Sequence, residues 1–140
     1  MTDAAEAVSI MTMTNKKGEK MDGLDILHYT GDDYKPVVYF GDWRVAYLNY
    51  SARFDPNKID TLERHMETDE VFVLLEGKAT LLIGEDALEC PMEKNKCYNV
   101  KKGVWHTIAT SRDAHVLIVE NADTSDDNSE FMHKEVKVTL

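Results

Sequence analysis

The chain has 140 residues, 43% of them hydrophobic and 9% aromatic, with 16 Lys and Arg against 26 Asp and Glu and a net charge of −10. This is the length of one domain, with enough apolar material for a core, so global disorder is not expected. The acid excess runs through both halves and leaves no positive footprint for nucleic acid or anionic membrane, so neither is expected as a partner.

Residues 1–22 contain Met1, Met11, Met13 and Met21, a Lys16-Lys17-Gly18 turn and no sustained periodicity. They read as an N-terminal arm, either flexible or laid as an exchanged strand across a partner subunit. The segment has acids before its bases and no apolar block, so it does not read as a secretory signal. No run in the chain approaches the ~20 apolar residues of a membrane-spanning helix. A cytoplasmic location is expected, with Cys90 and Cys97 as reduced thiols.

Residues 23–140 read as a single all-β domain. Short strands rich in β-branched and aromatic residues are expected at 26–29, 37–40, 43–50, 71–75, 79–83, 87–90, 96–100, 105–110, 115–120 and 135–140. Turn-forming sequences separate them, such as Gly41-Asp42, Asp55-Pro56-Asn57, Glu76-Gly77 and Gly84-Glu85-Asp86. Only residues 57–64 offer a helical turn, and the polar stretch from Glu120 to Phe131 reads as a solvated loop. Many short strands without alternating helices indicate a sandwich or barrel rather than a parallel α/β sheet. Val71–Leu75 and Val116–Val119 are apolar at both parities, so one face fills an interior and the other needs cover. A homodimer is the expected cover.

Glu63, His65, Glu67 and Glu70 crowd one segment, and His106 lies in another. On an extended backbone Glu63, His65 and Glu67 share a face. Two imidazoles with one or two carboxylates form a mixed nitrogen and oxygen set suited to Fe, Mn, Ni or Zn. By spacing alone the same residues also fit a solvated acidic rim. His28, His115 and His133 lack the spacing of a site, and the chain has neither a glycine-rich phosphate loop nor a nucleophile elbow.

The segment from His65 to Gly77 resembles the first motif of the cupin superfamily, G-x5-H-x-H-x3-4-E-x6-G. Anchoring on Glu70 and Gly77 places His65 at the second histidine and Glu63 at the first. Asn95 to Thr110 resembles the second motif, G-x5-P-x-G-x2-H-x3-N, with Gly103 and His106 matching. Asn57 and Asn95 stand for the leading glycines, Lys101 for the proline and Thr110 for the closing asparagine. Asn tolerates left-handed backbone, so both leading turns are expected to survive.

The resemblance implies a jelly-roll β-barrel with His65, Glu70 and His106 as ligands of a divalent metal. Glu63 has three readings: a fourth ligand, a general base beside the metal, or the mark of a site that has lost its ion. Strand parity places Phe72, Leu74 and Ile108 on the pocket wall. Tyr98, Tyr47, Tyr50 and Arg44 are candidates for orienting a small ligand, against their ordinary roles as core aromatics and surface arginine. The implied function is a metal-dependent isomerase, lyase or dioxygenase acting on a small polar molecule of sugar or oxo-acid type. The alternative is a non-catalytic binding or sensing cupin whose metal is lost or structural.

Overall fold

The computed structural model describes residues 16–18 and 21–140, and the backbone of residues 8–11. In chain order its strands are β1 (Val8–Met11), β2 (Ile26–Tyr29), β3 (Tyr34–Phe40), β4 (Trp43–Asn49), β5 (Ile59–His65) and β6 (Glu70–Glu76). They continue with β7 (Ala79–Ile83), β8 (Leu88–Pro91), β9 (Tyr98–Val100), β10 (His106–Thr110), β11 (His115–Asn121) and β12 (Ser129–Val136). One five-stranded sheet has the order β12-β5-β10-β7-β8 and the other β3-β4-β11-β6-β9, with β1 and β2 forming a separate ribbon. All pairings are antiparallel. Two antiparallel sheets closing on a shared interior form the jelly roll. Among the described residues no helix is long and apolar enough to cross a membrane.

Parity builds the core. Phe72 and Leu74 of β6, Ile108 of β10, Val116 and Ile118 of β11 and Leu48 of β4 pack together between the sheets. The neighbouring positions face outward on the first sheet, where Leu82, Ala109, Ile59 and Leu62 form a second cluster. The C-terminal segment covers that cluster with Val138 and Leu140. On the second sheet the outward residues Val71, Val73, Leu117 and Val119 remain half-buried, in keeping with strands that are apolar on both sides.

Three sequence expectations are corrected. Residues 57–64 do not make a helical turn; β5 runs from Ile59 to His65, between β10 and β12. Ile59 and Leu62 have helical spacing, but pairing with two strands overrides that local signal. The stretch from Glu120 to Phe131 is not a solvated loop throughout. It ends β11, makes a capped 3-10 turn over Asp126–Asn128 and opens β12, which replaces the strand expected at 135–140.

Within the expected N-terminal arm, Val8–Met11 pairs with β2 of its own chain. Residues 1–7, 12–15 and 19–20 lie outside the described residues. Cys90 and Cys97 are free thiols.

Three turns lead into the strands of the site. Asn95 adopts left-handed backbone at φ 69, as its place at a motif glycine requires. Asn57 does not: its N–H donates to Asp55 Oδ1 at 2.9 Å, and the Asp55 side chain closes that turn. Gly103, at φ 78, donates its N–H to the His65 carbonyl at 2.7 Å. That bond ties the loop leading into β10 to the end of β5.

Candidate metal centre

Glu63 and His65 lie two residues apart at the end of β5, so the pleat sends both to one side. His106 opens β10 directly across from Glu63, and Glu70 opens β6 in the facing sheet. Each of the four offers a donor atom, and these atoms all lie within 4.8 Å of one another. His65, Glu70 and His106 are buried, while the Glu63 side chain is about one third exposed (34%). Glu67 does not join them; it lies past the end of β5, is exposed, and its carbonyl accepts from Asn121 Nδ2.

Hydrogen bonds set the direction of both imidazoles. The Val104 carbonyl lies 2.9 Å from His106 Nδ1, and because a carbonyl only accepts, Nδ1 carries the proton. His106 Nε2 meets Glu70 Oε1 at 2.8 Å. His65 Nδ1 shares a hydrogen bond with Ser129 Oγ at 2.8 Å. Its Nε2 is buried without a hydrogen-bond partner, although Glu70 Oε1 is 3.3 Å away, Glu63 Oε1 3.8 Å and Glu120 Oε2 3.9 Å. Both rings are thus held by one nitrogen and turn the other toward the same carboxylates. Metal-binding histidines are held in this way.

The charges are interdependent. Burial opposes ionisation of Glu70, but the two histidines outweigh it and hold its carboxyl well below the usual range. Burial lowers the pKa of both imidazoles, yet the neighbouring Glu70 raises each above its ordinary value. Burial and then the Glu70 charge push Glu63 upward.

Glu120, from β11, was missed in the sequence, although it continues the inward parity of Val116 and Ile118. Its Oε1 accepts from Tyr34 Oη at 2.6 Å and Arg44 Nη2 at 2.8 Å, while its Oε2 is buried without a partner. Burial, then the charge of Glu70, pushes its carboxyl up to about 7.

The cavity over these groups measures about 220 Å³. Phe72, Ile108 and Arg44 line it, together with Tyr34, Arg53, Phe54, Thr107, Ser125, Ser129 and Phe131. Four expected residues stand elsewhere. Leu74 is core beneath the pocket. Tyr98 packs at the core edge and accepts the Glu93 N–H on its hydroxyl. Tyr47 is of outward parity on β4 and stacks on His115 with ring centroids 4.5 Å apart. Tyr50 follows β4, donates to Asp55 and lines a separate cavity of about 260 Å³.

A buried, unpartnered imidazole nitrogen beside two carboxylates and a second imidazole fits a divalent cation: the donor set is complete, and a positive ion would satisfy it.

The sequence matches no protein-family model and no curated protein. Its structure is similar to a cupin-2 domain-containing protein from Shewanella frigidimarina, with TM-score 0.52 and 18% identity over 66% of this chain and 84% of the other. KdgF from Halomonas gives TM-score 0.52 and 16% identity over 67% and 80% of the two chains. Pac13 from Streptomyces, a nucleoside dehydratase also seen with uridine, gives TM-score 0.54 and 9% identity over 95% and 89%. At these identities the likeness is one of fold.

Proposed function

The chain has the cupin fold, and from that premise we propose that it is a small metalloprotein acting on, or binding, a small polar molecule of sugar or oxo-acid type. His65, His106 and Glu70 would hold the divalent ion, with Glu63 as fourth ligand or as base. The observation that carries this reading is the buried Nε2 of His65, left without a hydrogen bond while its ring is held from the other side by Ser129. A bound divalent ion supplies Lewis-acid polarisation of a substrate oxygen or activation of water.

The chain's own residues supply the rest. Phe72 and Ile108 keep bulk water from the floor of the cavity. Tyr34 and Arg44 fix Glu120 against the site. Glu63, on the more open side, is the group placed to exchange a proton with a ligand, and its raised pKa suits it to do so. The set of two imidazoles and two carboxylates accommodates Fe and Mn as well as Ni and Zn.

Metal analysis of protein purified without chelator tests this reading. One equivalent of a divalent ion is expected, lost in His65→Ala and His106→Ala while circular dichroism shows the fold intact. Wild-type protein that takes up no divalent ion at micromolar concentration would overturn it. Glu63→Gln separates the roles of that residue: lower occupancy marks a ligand, and full occupancy with lost turnover marks a base.

The reading includes a homodimer that covers the outward apolar face of the second sheet, and a cytoplasmic setting in keeping with two free thiols.

A further inference from the structure

Among the described residues, Arg53 is the pocket cation with a hydrogen-bonding edge to spare. It sits in the 3-10 turn Ala52–Phe54, lines the cavity, and its guanidinium lies 4.4 Å from the centroid of the Phe54 ring. Asp33 takes one edge of the fork, from Nε at 2.9 Å to Oδ2 and from Nη2 at 2.5 Å to Oδ1. Among the described residues no hydrogen bond is made by Nη1, so the end-on edge formed by Nη1 and Nη2 remains for another acceptor. The Arg53 side chain is 57% exposed.

The support behind Arg53 is built at a cost. Asp33 is a non-glycine residue at φ 68, a conformation that strains an L side chain by about 1 kcal/mol or more. Its carboxylate is fixed by the Tyr34 N–H at 2.7 Å and the Ser51 hydroxyl at 2.8 Å. A carboxylate so held aims a long, flexible cation in one direction. Arg44, the arginine that the sequence suggested for ligand contact, is committed within the protein. Its Nε donates to Tyr34 Oη, its Nη2 to Glu120 and its Nη1 to the Ala122 carbonyl, and its side chain is 12% exposed.

We propose that the ligand of this pocket carries a carboxylate, received by the end-on edge of Arg53 at the mouth while another oxygen faces the metal centre. This rests on the metal reading above and narrows it from sugar or oxo-acid to an acid. Two parallel N–H groups match the two oxygens of a carboxylate, and a neutral sugar would gain little from them. A cavity of about 220 Å³ restricts the acid to a small one.

The test is calorimetric titration of metal-loaded protein with 4-hydroxybutanoate and with 4-hydroxybutanamide, which keeps the hydroxyl oxygen for the metal and has the carboxylate replaced by a neutral amide. Wild-type protein is expected to bind 4-hydroxybutanoate about tenfold or more tightly than 4-hydroxybutanamide, the difference of one charge-assisted pair. In Arg53→Lys, which keeps the charge facing Asp33 but loses the fork, the two probes are expected to bind alike; Arg53→Gln checks the result without the charge. Equal binding of both probes by wild-type protein, or an unchanged preference in Arg53→Lys, would overturn the proposal. Metal content of the same samples separates the two readings. A loaded protein without the preference refutes the carboxylate site alone. A protein that loads no ion refutes the metal reading, and the metal-free titration then decides Arg53 by the same comparison.

Discussion

Ser129 is an ordinary residue by sequence, yet its hydroxyl holds the buried ring of His65 at 2.8 Å. Removing such a support frees the imidazole to turn away, and losses of about 10–100-fold in metal affinity are typical. Ser129→Ala is therefore expected to weaken metal binding by that factor in a competition titration with a chelating dye, with the fold unchanged. Glu120 yields a pH prediction. Its folded pKa, about 7, lies above the usual 4.5, so the folded protein binds this proton more tightly than the unfolded chain does. Stability from this group is therefore greatest below pH 4.5 and is lost as pH rises toward and through 7. Glu120→Gln keeps an acceptor for Tyr34 and Arg44 and removes the charge beside Glu70. In chelator, thermal melts should show the variant gaining on wild type between pH 5 and pH 8, by about 1–3 kcal/mol. The Glu120 charge also raises the His65 pKa, so the difference reports Glu120 together with its coupling to His65. A constant gap across that range would refute it.

At the scale of elements, the turn from β6 to β7 depends on Gly77. Its φ is 74, and a Cβ there would lie 2.7 Å from the Cα of Ala114 in the β10–β11 connection. Backbone cannot retreat as a side-chain tip can, so Gly77→Ala should cost about 2–4 kcal/mol, read as a lower midpoint in urea. This glycine was legible because the motif spacing from Glu70 marks it. Two short strands were legible for a related reason: Ile26–Tyr29 and Ala79–Ile83 match the expected limits, since each is rich in apolar residues and bounded by turn residues. β5 and β12 were hidden because each is stabilised by the other. Their pairing, from Ser129 opposite His65 to Val136 opposite Ile59, joins segments that are distant in sequence and rich in charge. The site divides similarly. His65, Glu70, His106 and Glu63 could be read from motif spacing, and Glu120 was within reach of a parity argument. Ser129 and Arg53 enter only through the β5–β12 pairing and the Asp33 support, which no local pattern announces.

At the scale of the molecule, the two sheets differ in how their outer faces are covered. The first buries Leu82 and Ala109 under its own C-terminal residues Val138 and Leu140. The second presents Leu117 on its central strand β11, between Tyr47 of β4 and Val73 of β6, with Val71 and Val119 paired alongside. These residues are only half-buried in a single chain. The β1–β2 ribbon reaches one part of this face, where Tyr47 Oη donates to the Leu27 carbonyl at 3.4 Å. In the proposed homodimer this apolar face is the association surface, and a second copy of the same face would cover it about a two-fold axis. Light scattering is therefore expected to give twice 16.0 kDa for the wild-type chain. Leu117→Asp, placing a charge at the centre of that face, should shift the mass to that of one chain while circular dichroism remains that of the folded protein. The pocket lies on the inner side of the same sheet, so metal uptake by the variant should be unchanged. A wild-type chain that stays monomeric at all concentrations, or a variant that remains dimeric, would sink the dimer and leave the metal centre untouched.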